Sequence, residues 1–202
     1  MPLDMSTSTT PRNRLTTWAG MAAVAAPLLA LFAIASGIPL YTMDMADAAS
    51  TNRLLIANGA TLGVFLLVVY ALVGVHAHVQ ARLTTAGQLG FVVALIGTVL
   101  AAGGAWDSLF AQPYIADAAP VVLDDPTGGT LLAGFLVSYL VLAIGWTTYA
   151  IALLRARVLP TAATVTMLVG ALIAIAPAPT AIRVLPIAVG VALAGRSVLR
   201  DG

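Results

Sequence analysis

Residues 103–114 of this chain read GGAWDSLFAQPY and close a long apolar segment that begins near residue 86. A helix of about 20 apolar residues is long enough to cross a bilayer, and this segment exceeds that length. Pro113 predicts the end of the helix, because proline has no backbone N–H and cannot continue the hydrogen-bond ladder. The stretch therefore predicts a transmembrane helix over residues 86–111, with the carboxylate of Asp107 about one turn inside its end.

The composition indicates that the whole chain is an integral membrane protein. Of its 202 residues, 60% are hydrophobic and 8% are charged, and the mean hydropathy is +1.01. A soluble domain carries roughly 25% charged residues. The hydrophobic excess therefore places most of the chain in lipid.

The residue inventory excludes several kinds of chemistry. All nine basic residues are Arg and all eight acidic residues are Asp, so the chain has no Lys, Glu or Cys. A lysine Schiff base, a thiol nucleophile and cysteine-ligated iron–sulfur clusters are excluded. The two histidines, His76 and His78, lie on one segment and cannot hold a haem between two helices. We expect no cofactor, no bound metal and no nucleic-acid partner.

The hydropathy pattern predicts an all-α fold, a polytopic membrane helical bundle of about six transmembrane helices. A polar leader of residues 1–16 is expected to be disordered, and residues 17–202 form a single transmembrane domain. The predicted helices cover about residues 18–40, 54–79, 86–111, 130–154, 160–176 and 183–199. The last two are short and form either a thin hairpin or a re-entrant pair.

The distribution of arginine predicts the orientation of the bundle. With six spans and both termini cytoplasmic, seven arginines lie inside, and only Arg53 and Arg183 lie outside. An excess of arginine in the cytoplasmic loops is the pattern that membrane insertion favours. We therefore predict a multi-pass protein of the inner (plasma) membrane.

Asp107 is the first candidate for a catalytic residue. Burial in an apolar segment and proximity to a helix C-terminus both favour the neutral carboxylic acid, and a neutral acid is a proton donor. Trp106, Phe110 and Tyr114 would surround it and present ring faces to a cation. Alternatively, Asp107 caps the helix or pairs with Arg53 or Arg183 at the membrane interface, and the three aromatic residues belong to the interfacial belt.

Asp44 and Asp47 are the second pair of candidates. They are three residues apart and share a face if the first helix continues through them. Two carboxyl groups in unlike environments can divide acid and base roles. Alternatively, both belong to a solvated external loop.

Four further residues are candidates for substrate contacts. Tyr41 begins the first external loop. Asn58 lies one turn inside the second helix from the same side, where we expect it to be a hydrogen-bonding neighbour of Asp107. Tyr139 and Trp146 lie seven residues apart on one face of the fourth helix, where they would line a cavity. The alternatives are an interhelical hydrogen bond for Asn58 and ordinary core packing for the two aromatic residues.

Two short stretches carry a resemblance to a known group. Residues 97–113, GTVLAAGGAWDSLFAQP, and residues 153–160, LLRARVLP, resemble the small arginine-rich polytopic membrane proteins of high-GC actinobacteria, most of which have no assigned function. In its size and embedded acidic residues, the chain is also similar to the integral-membrane terpene cyclases of actinobacterial natural-product pathways. That likeness is architectural, and the chain lacks the Glu that some members use.

The cyclase resemblance implies an isomerase or lyase that starts cyclisation by protonating a lipophilic prenyl or terpenoid substrate drawn from the membrane lipids. Asp107 would be the general acid, and Asp44 or Asp47 would stabilise the cation or accept the final proton. This chemistry needs no cofactor. The alternative is a non-enzymatic membrane protein: an accessory subunit of a complex, or a small-molecule binder or transporter. The sequence does not predict the oligomeric state.

Overall fold

The computed structural model describes residues 14–124 and 129–201, and within these ranges the chain forms eight α-helices and no strand. The helices are α1 (Arg14–Gly37), α2 (Met45–Ala49), α3 (Asn52–Val79), α4 (Thr85–Ala118), α5 (Pro120–Asp124), α6 (Gly129–Ala156), α7 (Thr161–Ile173) and α8 (Thr180–Asp201). Five of them, α1, α3, α4, α6 and α8, are long and apolar enough to cross a membrane. The predicted all-α polytopic bundle is confirmed.

The helix ends differ from the predicted ones in three places. The leader, predicted over residues 1–16, lies largely outside the described residues, and α1 already begins at Arg14. Helix α7 has 13 residues, so its length is about 20 Å, which is shorter than a bilayer core. Helix α4 does not end at residue 111 but runs through Pro113 to Ala118.

The extension of α4 corrects the prediction that Pro113 ends this helix. Proline removes one backbone hydrogen bond and crowds the preceding turn, but a long membrane helix can retain its path because the neighbouring turns stay hydrogen bonded. The extension adds about two helical turns beyond residue 111. Asp107 is consequently 11 residues from the last residue of α4 rather than about one turn.

The six long and medium helices form a closed ring in the order α1, α3, α4, α6, α7, α8, and α8 returns to α1. Helices α3 and α8 also touch each other across the ring. The close approach of Gly20 in α1 to Leu199 in α8 shows that the start of α1 and the end of α8 lie at the same end of the bundle. We call this the proximal end, and the opposite one the distal end.

Small residues allow the helices to pack closely. A Cβ atom built on Gly97 of α4 would collide with the backbone of Leu142, and one built on Gly145 of α6 would collide with the backbone of Ala94. Gly190 of α8 likewise lies against Met167 of α7. In lipid, where hydrophobic burial does not drive helices together, such close van der Waals contact holds them together.

A short cap closes the distal end between α1 and α3. A 3₁₀ turn (Ile38–Thr42) follows α1 directly, and α2 follows after two residues. Leu40, Ala48, Ala49 and Leu54 bury one another in a small apolar cluster. The cap therefore packs onto the distal ends of α3 and α4 rather than lying free in solvent.

Candidate functional site

A cavity of ≈ 290 Å³ lies under the distal cap, between α1, α3, α4, α6 and α8. Its apolar wall includes Ala33, Leu40, Ala57, Ala105 and Phe135. Alanines dominate this wall because their small side chains leave the space open where larger residues would fill it. No charged side chain lines the cavity within the part of the chain that the structure describes.

Polar side chains from α3 and α4 converge on one side of this cavity. The amide nitrogen of Asn58 donates to the backbone oxygen of Ser108 at 3.0 Å, and that of Gln112 donates to the Ser108 hydroxyl at 3.0 Å. The Thr61 hydroxyl donates to the Ala57 carbonyl at 2.8 Å. The amide oxygens of Asn58 and Gln112 receive no hydrogen bond from the described residues. Two acceptors are therefore free to meet a ligand.

Tyr41 and Asn58 are the two predicted substrate contacts that line the distal cavity. Tyr41 comes from the 3₁₀ turn of the cap and remains 48% exposed. Asn58 joins α3 to α4 through Ser108, the residue that follows Asp107. The predicted hydrogen bond from Asn58 to Asp107 is thus replaced by a bond to the neighbouring backbone.

Asp107 does not line the distal cavity. Its side chain is half-buried and borders a separate groove of ≈ 320 Å³ between α4 and α6, together with Ser138 and Tyr139. The small residues Gly103 and Gly134 leave this groove open. Within the described residues the Asp107 carboxylate makes neither a hydrogen bond nor an ion pair. The predicted pairing with Arg53 or Arg183 is therefore not formed.

The longer α4 also changes the surroundings predicted for Asp107. At 11 residues from the helix end, the carboxyl group lies outside the last turn, to which the partial negative charge of a helix C-terminus is confined. The side chain is half-buried rather than deeply buried.

The three aromatic residues near Asp107 point outward. Their exposed fractions are 55% for Trp106, 56% for Phe110 and 74% for Tyr114. The Trp106 and Phe110 rings pack against each other, with 5.3 Å between the ring centres. They line none of the cavities described here. Their position on the outer surface near the distal end is typical of an interfacial aromatic belt.

Asp44 and Asp47 line neither the distal cavity nor the groove that Asp107 borders. The first helix was expected to continue through both residues and to place them on one face, but it ends at Gly37. Asp44 precedes α2 and Asp47 lies in its first turn, and both side chains are exposed. Within residues 14–124 and 129–201, no three metal-ligating side chains come together.

Trp146 is fully buried, and its indole N–H donates to the Thr98 hydroxyl at 3.0 Å across the α4–α6 contact. Tyr149 is equally buried, and its hydroxyl oxygen lies 3.4 Å from Nδ1 of His76. The His76 ring stacks on the Phe91 ring, with 3.6 Å between the ring centres. Trp146 therefore packs in the core and reaches no cavity. Of the two aromatic residues predicted to line a cavity from the fourth helix, Tyr139 is the one that borders the grooves described here.

Arg183 was predicted only as an external charge and as a possible ion-pair partner of Asp107, not as part of a site. Within the described residues, it is the charged side chain that is buried, at 8% exposure, whereas Asp107 is half-buried. Asp107 is therefore not the most buried charged side chain of the described residues. Phe135 and Tyr139, four residues apart on α6, carry the signal that could have revealed an inward-facing arginine, because two rings at this spacing form one platform.

Comparisons with known proteins give no family for this chain. No family model matches it, and neither a curated protein nor a solved structure is significantly similar to it. The resemblances to actinobacterial membrane proteins and to terpene cyclases accordingly stay predictions, and the class that the fold defines is a polytopic α-helical membrane protein.

Proposed function

We propose that this chain is a non-enzymatic integral-membrane protein that binds a lipophilic small molecule in the distal cavity. The observation that carries the proposal is the cavity of ≈ 290 Å³ with an apolar wall and converging polar groups. Mostly apolar cavities of a few hundred Å³ with a few convergent polar groups are the usual form of small-molecule sites.

The lining indicates the chemistry of the ligand. Because no charged side chain of the described residues lines the cavity, a neutral ligand avoids the cost of burying an unpaired charge. The amide oxygens of Asn58 and Gln112 would accept hydrogen bonds from a hydroxyl or amide group of the ligand. The apolar remainder would contact the alanine wall, and membrane lipid is the natural source of such a molecule.

Protonation-initiated cyclisation of a prenyl or terpenoid substrate is the second candidate, and it would make the protein a terpene-cyclase-like isomerase or lyase. One observation favours it: the Asp107 carboxyl group borders the same groove as the rings of Phe135 and Tyr139, which can stabilise a cation. Against it, Asp44 and Asp47 are exposed and face neither this groove nor the distal cavity. The remaining candidate, an accessory subunit, would need neither site.

The binding proposal is tested by extracting lipophilic molecules from the purified protein and identifying them by chromatography and mass spectrometry. We expect a defined molecule from the wild type and its loss from Ala105→Phe, which fills the cavity. Asn58→Leu should weaken binding by about fivefold, since a hydrogen bond contributes about 1 kcal/mol. Asn52→Leu is the matched control, because Asn52 is exposed on the same helix.

Two results would decide against the binding proposal. One is recovery of the same molecules from the wild type and Ala105→Phe, with both proteins equally well folded. The other is the appearance, on incubation with linear prenylated substrates and epoxides, of a product of unchanged mass that Asp107→Asn fails to make. That second result would establish the enzymatic function instead.

A further inference from the structure

Arg183 is held on an aromatic and neutral surface near the start of α8. Its guanidinium carbon lies 3.9 Å from the centre of the Tyr139 ring and 5.4 Å from that of Phe135. One terminal nitrogen donates to the carbonyl of Ala174 at 3.3 Å, and the other donates to the Thr180 hydroxyl at 3.2 Å. All four partners are neutral, so they orient the cation without neutralising it.

The positive charge of Arg183 lacks a counter-ion among the described residues. The side chain is 8% exposed, and its Nε atom is buried without a hydrogen-bond partner. Burial of a cation is costly unless an anion pairs with it. The position of Arg183 in the first turn of α8 adds to this cost, because the N-terminus of a helix carries partial positive charge.

A groove of ≈ 440 Å³ lies beside this charge, between α6 and the turn that joins α7 to α8. Arg183 and Tyr139 form its buried side, and Leu132, Leu136 and Ile175 form an exposed apolar side. Arg183 is three residues from the start of α8, or about 5 Å from the distal end of that helix. A lipid headgroup lies at this level of a bundle that spans the bilayer.

We propose that this groove binds an anionic amphiphile, whose phosphate or carboxylate group pairs with Arg183 and whose acyl chain lies along Leu132, Leu136 and Ile175. A planar guanidinium with a free Nε–H and two terminal nitrogens suits both oxyanions. The partial charge of the α8 N-terminus favours the same anion. This site is distinct from the uncharged distal cavity, and each can fail without the other.

The test is a titration of the purified protein in a neutral detergent, read by native mass spectrometry. The probes are phosphatidylglycerol, phosphatidylcholine, oleate and inorganic phosphate. The variants are Arg183→Gln, which removes the charge, Arg183→Lys, which keeps it, and Arg53→Gln. Arg53 is the matched control because it is exposed at the same end of the bundle.

We expect the wild type to bind phosphatidylglycerol and oleate about tenfold more tightly than phosphatidylcholine. Arg183→Gln should lose this preference, Arg183→Lys should keep part of it, and Arg53→Gln should keep it all. Binding of inorganic phosphate at similar affinity would support the site with a free anion as the occupant, whereas binding of phosphatidylglycerol and oleate alone would support a lipid.

A second measurement separates a ligand site from a purely structural arginine. In detergent without anionic lipid, Arg183→Gln should be at least as thermally stable as the wild type, because it removes an uncompensated buried charge. Added phosphatidylglycerol should raise the midpoint of unfolding of the wild type only. A clear loss of stability of Arg183→Gln without lipid would overturn the proposal.

Two binding results would also overturn it. One is equal binding of phosphatidylglycerol by the wild type and Arg183→Gln. The other is a preference for phosphatidylglycerol that appears only after Asp124→Asn and Asp125→Asn, whose side chains lie outside the described part of the structure. That result would show that a carboxylate of this chain neutralises Arg183.

Discussion

Replacement of Gly145 by alanine should separate α4 from α6. The new Cβ would overlap the backbone nitrogen and Cα of Ala94, and neither atom can move by a change of rotamer. Gly97→Ala meets the same obstacle at the backbone of Leu142. The structure can therefore accommodate either methyl group only by moving one helix away from the other.

The magnitude follows from two opposing effects. Overpacking a tight contact costs typically about 1–3 kcal/mol, and the upper end applies because the clash is with backbone. Alanine also regains about 1 kcal/mol of helix propensity relative to glycine. The net loss is therefore about 2 kcal/mol, which corresponds to a fall of about 4–8 °C in the unfolding midpoint for a chain of this size.

The assay is thermal unfolding of detergent-solubilised protein, followed by the fraction that stays monodisperse in size-exclusion chromatography. Gly103→Ala on α4 and Gly134→Ala on α6 are the controls, because a Cβ at either position has no neighbour within 4 Å. Both controls should unfold at the wild-type temperature or slightly above it. The double variant Gly97→Ala with Gly145→Ala should lose less than the sum, because the first substitution already separates the helices.

The reasoning is refuted if Gly145→Ala is as stable as Gly134→Ala. The two substitutions add the same methyl group to the same helix, so propensity cannot explain a difference between them. Equal stability would mean that the α4–α6 contact is looser than the structure shows.

Two further predictions concern single side chains. Thr98→Val should lower the unfolding free energy by about 1–3 kcal/mol, because the Trp146 N–H loses its acceptor in the core. The control is Thr166→Val, which should change the unfolding free energy little because this exposed hydroxyl bonds only within its own helix. Equal effects of the two substitutions would contradict the role of the buried hydrogen bond. Arg157→Gly should raise the unfolding midpoint by a few degrees, because Arg157 has φ 52° and glycine adopts this left-handed conformation without strain. Arg155→Gly, inside the last turn of α6, should lower the midpoint, because glycine disfavours a helix. A shift of the midpoint in the same direction for Arg157→Gly and Arg155→Gly would refute this explanation.

The positions of the long helices could be predicted because lipid imposes them, but six spans were predicted and five of the described helices are long and apolar enough to cross a membrane. A backbone in hydrocarbon must satisfy its own hydrogen bonds, so every long apolar segment becomes a helix. The course of α4 beyond Pro113 could not be predicted. A proline ends a helix only where the loss of one hydrogen bond outweighs the packing of the following turns. Whether residues 114–118 continue the helix depends on contacts with the cap, which a hydropathy pattern does not contain.

The candidate site was harder to predict for a geometrical reason. Hydropathy and spacing place a residue along a helix, but the rotation of the helix decides whether its side chain faces protein or lipid. Asp107 and Arg183 both lie near the distal end, yet only Arg183 faces the interior. Asn58 and Tyr41 were predicted at the correct end because depth alone was sufficient for them.

The closure of the ring between α1 and α8 has a consequence for biogenesis. The ribosome delivers α1 before α8, so the alanine-lined face of α1 that packs on α8 lacks its partner in the membrane until α8 has been synthesised. During that interval the ring is open, and the surfaces of α1 and α7 that later contact α8 are exposed to lipid and to other nascent chains. Stable assembly of the bundle therefore depends on α8, and a chain released before α8 should be a preferred substrate for membrane quality-control proteases.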